Sequence, residues 1–457
     1  MKSRILDAVA ACALLALGTA ACGKSGGDAP SASPGSSAQG AQGARGAPAA
    51  EAVTLTYWAS NQAPSVEDDR KILQPELDKF EKQTGIKVKL EVISWSDLLN
   101  RILAATSSGK GPDVLNIGNS WSASLQATGA FLPFDDAALA KIGGKDRFVA
   151  TTLSATGAAG QPPAAVPLYG LAYGLFYNKK MFADAGIEKP PANWGEFITV
   201  AKKLTDAKGG RYGVAIMGAS YSENAHFAFM FGRQHGAAIF EGKQPRFDAP
   251  EMVAGVKQYI DLLSVHKVVN PSNAEYVNDT QMLKEFTSGK AAMLMIQSYA
   301  QAAIEQNGMA RDAYGVAPVP MPDPLPAGGK AVNSHVAGIN IAVFEESKNR
   351  DAALKFVAFM TSPEEQKILN GAFGSLPVVS EAYADERFKS ANTQVFQKVL
   401  AETAESMPMI EETAQFETLV GTAMRDLLAE AASGKAVTDA SIRGKLTAAN
   451  QQMASGK

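Results

Sequence analysis

The 457-residue chain has only two cysteines, Cys12 and Cys22, both within its first 22 residues. Everything beyond them is therefore without disulfides, thiolate nucleophiles or cysteine metal ligands. The four histidines, His226, His235, His266 and His335, lack the i, i+4 spacing of a helical zinc pair. Each is expected at the surface or in a hydrogen bond, and no metal site is expected. Charge is nearly balanced, 43 Lys+Arg against 46 Asp+Glu with a formal net charge of -3, which leaves no electrostatic footprint for nucleic acid or an anionic membrane. Past Gly27 there is no G-x-S-x-G elbow, no H-E-x-x-H, no Walker-type phosphate loop and no G-x-G-x-x-G after the first strand. Past the N-terminal region no apolar run approaches the length of a membrane span. What is present is a 46% hydrophobic, 19% charged composition, globular in kind and long enough for two domains or one two-lobed body.

The N-terminus reads as an address. Lys2 and Arg4 precede an apolar run from Ala8 to Leu17 and the small residues Gly18 to Ala21, the architecture of a secretory signal over residues 1–21. Cys22, placed directly after them, resembles the lipidated first residue of a bacterial lipoprotein; a plain cleaved signal is the alternative. From Gly23 to Ala50 the chain is Gly, Ser, Ala, Pro and Gln, too poor in large apolar side chains to offset chain entropy. Residues 22–51 are thus expected to form a lipidated, flexible tether with a reach of roughly 30 Å.

The body opens with an alternating strand, Val53 to Trp58. A helix bearing Ile72, Leu73, Leu77 and Phe80 follows and stops at Gly85. A second strand alternates through Ile86, Val88, Leu90 and Val92, then a helix carries Leu98, Leu99, Ile102 and Leu103, and a third strand runs from Asp113 to Ile117. This β-α-β-α-β order requires parallel strands and places ligands outside their carboxyl ends. Tyr173 to Tyr177, Ala291 to Ile296 and Gly338 to Phe344 read as further strands. Asn193 with Glu196, and Asp248, read as helix caps, and beyond Asp351 the chain is mostly helical. The fold class is α/β, with two lobes and a helical C-terminal region.

Aromatic and amide residues cluster where strands should end: Tyr57 to Gln62, Asn116 to Trp121, Pro167 to Tyr173, Tyr221 to Asn224 and Gln297 to Tyr299. A sugar presents C–H faces that stack on rings and hydroxyls that need fixed donors and acceptors, and these clusters supply both. Trp194, on a capped helix with Phe197, is expected in the core, and Trp95 beside Asp97 stays open between core and site.

Several segments in order resemble the extracellular solute-binding proteins of bacterial ABC sugar importers, the group that includes maltodextrin-binding protein. They are TYWASN at Thr56–Asn61, FEKQTGIKV at Phe80–Val88, SGKGPDV at Ser108–Val114, LFYNKKMFADAGI at Leu175–Ile187, PPANWGEF at Pro190–Phe197, SGKAAM at Ser288–Met293, VAGINIAV from Val336, TSPEEQ from Thr361 and SLPV from Ser375. The resemblance implies a type II periplasmic-binding-protein fold whose lobes close on solute, the closed form being favoured by the solute's differential affinity. It implies a first lobe of 52–168 plus 337–384 and a second of 169–336 plus 385–457, with crossings near Tyr169, Val336 and Tyr383. It implies a neutral mono- or oligosaccharide as solute, ABC permease transmembrane subunits as partners, no cofactor, a monomer, and an extracytoplasmic place on the membrane through the lipid anchor alone.

Carried over residue by residue, Tyr299 matches a stacking position, and Tyr221 with Glu223 match an aromatic–acidic pair. Ser120 and Trp121 fall where the maltodextrin pattern has a carboxylate and an arginine. Trp58, Asn61, Asn119, Tyr169, Asn333 and His335 are further contacts, with Glu412 and Phe416 from the helical region. The alternatives are the same fold binding a polyol phosphate or a peptide, or an envelope carbohydrate-active enzyme. The last needs a raised-pKa acid opposite a second carboxylate roughly 5–9.5 Å away, a role for which Glu223 and Asp97 have no local support.

Overall fold

The computed structural model describes residues 53–456, so the signal, Cys22 and the tether lie outside the described residues. In chain order its strands are β1 (Thr54–Ser60), β2 (Lys87–Ile93), β3 (Val114–Gly118), β4 (Val166–Leu171), β5 (Tyr173–Asn178) and β6 (Tyr212–Ala215). There follow the short hairpin β7 (Phe240–Glu241) and β8 (Gln244–Pro245), then β9 (Ala291–Gln297), β10 (Tyr314–Ala317), β11 (Ser334–His335), β12 (Ala337–Val343) and β13 (Ala404–Glu405). Two sheets organise the body: five strands in the order β2-β1-β3-β12-β4, and four in the order β10-β5-β9-β6.

The first sheet grows from the β-α-β-α-β unit read in the sequence, since β1 pairs in parallel with both β2 and β3. Alternation along β1 buries Leu55, Tyr57 and Ala59 on one face. The helix Val66–Thr84 starts at Ser65, whose side chain accepts from the Asp68 N–H. It buries Leu73, Leu77 and Phe80, and ends at Gly85 with φ 72°, a left-handed conformation that glycine adopts without penalty. Helix Trp95–Ser108 ends the same way at Gly109, φ 67°. In the second sheet β9 is buried along its whole length, as a central strand covered on both faces must be.

The chain passes between the sheets where strands of one give way to strands of the other. β4 runs on through Leu171, with Tyr169 registered opposite Ile339 of β12, and β5 opens at Tyr173. The first crossing therefore falls at Ala172, three residues later than expected, because β4 pairs along its full length. The return lies at Val336, between β11 and β12. Helices Arg350–Met360 and Pro363–Phe373 pack with the first sheet's elements, whereas Ala391–Glu402 packs on β5 and β10, so the last passage lies between Ala384 and Ala391. Helices Thr413–Ala432 and Asp439–Ala454 pack on the second lobe's helices Tyr221–Gln234 and Pro250–Ser264.

Asp248 does not cap the helix that follows it. Ala249 occupies that position with Pro250 at the first turn, and the Asp248 carboxylate instead accepts from Thr447 Oγ1 at 2.7 Å and from Asn450, tying the last helix down. Trp194 is partly buried and packs on Phe197 and Phe231, ring centroids 4.9 and 5.0 Å apart, at the margin of the core.

Candidate functional site

A cavity of about 320 Å³ lies between the sheets, at the ends of strands from both lobes. The first lobe contributes Asn61 to Pro64 after β1, Ser94 to Ser96 after β2, Gly118 to Trp121 at the end of β3, and Leu171 at the end of β4. The second contributes Ser220 to Glu223 and His226, Val277 to Thr280, Gln297 and Tyr299 after β9, and Glu417. His335 and Ala337 to Ile339 line it from the return crossing.

Local structure aims these side chains. Gly118 has no Cβ, and the Trp121 indole lies over it; a Cβ there would come within 3.0 Å of the ring. Trp95, first residue of its helix, meets Trp121 edge-on with centroids 5.6 Å apart. Helix Tyr221–Gln234 starts at the cavity with Ser220 as its cap, so Glu223 and His226, three residues apart, share its inward face. Helix Thr413–Ala432 crosses it at Gly421, where a Cβ would sit 1.9 Å from the Tyr221 carbonyl oxygen. That backbone approach brings Glu417, one turn earlier on the same face, to the cavity wall.

At its base is a polar network. The Tyr173 hydroxyl lies 2.7 Å from both Glu223 Oε2 and His226 Nδ1, and Gln297 Nε2 donates to Tyr173 Oη at 2.8 Å and to Glu223 Oε1 at 3.3 Å. Across the cavity, Trp121 Nε1 donates to Glu417 Oε2 at 2.9 Å, a bond between the two lobes. Burial pushes both the Glu223 and Glu417 carboxyls up to about 7, only partly offset by these donors. Burial likewise pushes His226 down to about 3 and His335 well below its ordinary range. The two imidazoles, 4.1 Å apart, are therefore neutral at pH 7. Asp279 is raised by burial against an opposing hydrogen bond from the Tyr299 hydroxyl.

Of the residues singled out in the sequence, Tyr299, Asn61, Asn119, Ser120, Trp121, Tyr221, Glu223 and His335 line the cavity. Besides Trp121 and Glu223, the two asparagines have part of their capacity committed. Asn61 Nδ2 donates to the Ala63 carbonyl and to Asp69, and Asn119 Nδ2 donates to the Val336 carbonyl at 2.7 Å. His335 is neither at the surface nor hydrogen-bonded through its ring: it is buried, and both ring nitrogens lack a partner.

Five candidates lie elsewhere. Trp58 sits mid-strand on the opposite face of β1 from Tyr57, its ring covered by the Arg101 guanidinium at 4.6 Å. Tyr169 is buried in the first lobe against Phe373, because β4 continues past it. Asn333 is buried and donates to the Val319 carbonyl at 2.6 Å, a structural tie. Glu412 pairs with Lys243 at 3.3 Å. Phe416 is fully buried against Phe247, and the next residue, turned about 100° around the helix, is the one that reaches the cavity. Reading from sequence missed Glu417, His226 and Asp279 and left Trp95 open. The Glu223–His226 spacing and the Thr413–Glu417–Gly421 stripe of small and acidic residues were the available signals.

Among the described residues, no group of three or more His, Cys, Asp or Glu could hold a metal ion, and no helix is long and apolar enough to cross a membrane. What the cavity offers is ring faces, amides and acids from two lobes, hydrogen-bonded across the gap. Residues 63–367 match the family described as bacterial extracellular solute-binding protein.

The chain belongs to that family.

This solute-binding protein is 28% identical over 299 residues to the maltotriose-binding protein of Pyrococcus abyssi, covering 64% of this chain and 60% of that one. It is 26% identical over 373 residues to the diacetylchitobiose binding protein DasA of Streptomyces coelicolor, covering 80% and 82%. Among solved structures, a solute-binding protein of Thermotoga lettingae bound with α-D-tagatose superposes with TM-score 0.76 at 21% identity, over 88% of this chain and 100% of that one. Maltose-bound MalE3 of T. maritima gives 0.75 at 20% identity, over 89% and 100%. Those two likenesses establish the two-lobed fold.

Proposed function

We propose that this protein captures a saccharide in the cavity between its lobes and presents it, unaltered, to the membrane subunits of an ABC importer, held at the membrane through Cys22. The observation that carries the reading is the wall itself: Trp95, Trp121, Tyr221 and Tyr299 supply ring faces, while Asn61, Asn119, Gln297 and Glu223 supply directed polar groups. Stacking faces beside fixed hydrogen-bonding groups are what a polyhydroxylated ring requires. Relatives named for maltotriose and diacetylchitobiose support the same class. The Trp121–Glu417 bond joins the lobes directly over the cavity, so solute seated against both residues favours the closed form by what it adds to that contact.

Hydrolysis finds no support in the electrostatics. A glycosidase needs one proton donor and one ionised partner, environments that drive two pKa values apart. Here burial drives Glu223 and Glu417 the same way, to about 7 each.

The test is titration of residues 53–457 with a panel of sugars, amino acids, peptides and sugar phosphates, followed by tryptophan fluorescence and melting temperature. Trp95 and Trp121 lie in the cavity wall, so a bound saccharide is expected to change the emission and raise the transition. Response to amino acids, peptides or anions with none to any saccharide refutes the assignment.

A further inference from the structure

Among the described residues, no Lys or Arg lines this cavity, yet three carboxyl groups do: Glu223, Asp279 and Glu417. No charged basic side chain in the wall pairs with them. His226 stands 3.8 Å from Glu223 Oε1 and 3.9 Å from Glu417 Oε1, beyond hydrogen-bond length, and burial keeps its ring uncharged. Glu417 lines the cavity, is 1% exposed, commits Oε2 to the Trp121 indole, and leaves Oε1 buried beside it with no hydrogen-bond partner. A buried carboxylate oxygen without a donor is costly, and the complement it lacks is a cation that also donates hydrogen bonds. The Trp95 and Trp121 rings flank the same space, and indole faces attract cations further.

We propose that the solute is a basic saccharide: a sugar, or a ring of sugar shape, carrying a protonated amine that donates to Glu417 Oε1 and lies among the neighbouring carboxyls. This rests on the saccharide reading above and replaces the expected neutral solute by a cationic one. Hydroxyls of the same ring stack and hydrogen-bond as in a neutral sugar, while the ammonium supplies the charge the wall lacks. Uronic acids and sugar phosphates, which would add negative charge to an acidic cavity, are excluded by the same argument.

The test compares matched pairs by calorimetry at pH 7 on residues 53–457. The probes are 1,5-imino-D-glucitol against 1,5-anhydro-D-glucitol, which differ in the ring N–H or oxygen, and glucosamine oligomers against glucose oligomers of equal length and linkage. In at least one pair the amine is expected to bind about tenfold or more tighter, the difference between a charge-assisted and a neutral hydrogen bond. Glu417→Gln, with Asp279→Asn as a second variant, is expected to shrink that ratio toward one, with circular dichroism confirming that each is folded. Hydroxyl members binding as well as or better than amines in every pair overturns this inference and leaves the saccharide reading standing. A ratio unmoved in both variants also overturns it. No binding by either class, here and across the sugar panel, overturns both together.

Discussion

Replacing Glu417 by glutamine makes a sharp demand on the electrostatics of the empty cavity. Folding raises the pKa of this carboxyl from an ordinary 4.5 to about 7, with burial as the main cause. The folded protein therefore holds a proton here that the unfolded chain has released, throughout the window between those values. Any stability linked to this group is fully present below about pH 4.5 and is lost as pH rises through about 7. A rise of about 2.5 units corresponds to about 3 kcal/mol by pH 8. Glutamine is uncharged throughout and can still accept from Trp121 Nε1. Glu417→Gln should therefore match the wild type near pH 4.5 and exceed it at pH 8. With an unfolding entropy of about 2 cal/mol/K per residue over about 400 residues, the gain is about 4 °C in melting temperature. Removing the charge also relieves Glu223, whose pKa Glu417 helps to raise, and this acts in the same direction. The assay is differential scanning calorimetry of solute-free protein at pH 5 and pH 8. An offset equal at both pH values, or larger at pH 5, refutes the reasoning.

Tyr299→Ala removes a ring from the cavity wall and should weaken saccharide binding by about 1–3 kcal/mol, taking ring stacking on nucleobases as the analogy. Trp58→Phe, on the far side of β1, should leave affinity within error; titration of the two variants side by side checks both, and a loss at Trp58 would contradict its placement. Gly421→Ala should force helix Thr413–Ala432 away from the Tyr221 carbonyl, lowering stability by about 1–3 kcal/mol and displacing Glu417. Denaturant unfolding and affinity are expected to fall together, and an unchanged melting curve would mean the helices do not meet as described.

Much of the fold is legible from local signals. Gly85 and Gly109 end helices because left-handed stops favour glycine, and the alternation in β1 and β2 shows which residues face the core. The cluster at Tyr57–Gln62 looks like one unit in the sequence, but strand alternation divides it: Trp58 turns to Arg101, and only residues past the strand end reach the cavity. Phe416 was separable in principle, because Phe416, Val420, Ala423 and Leu427 form the buried stripe of one helix. Asp248 looked like a cap because it precedes a helix, while its partners are about 200 residues away in the last one. Glu417 was illegible for the same reason. Its partner Trp121 lies 296 residues earlier, and only the packing of two helices at Gly421 brings them together. Local rules locate strand ends, whereas pairings across the lobes come from packing.

The most direct measurement is native mass spectrometry of residues 53–457 after exposure to an equimolar mixture of saccharides, amino acids and organic anions, with the bound species released and weighed. One saccharide retained at 1:1 and recovered at its starting mass is the predicted result. Retention of an amino acid or an anion instead, or recovery of a cleaved saccharide, contradicts the account.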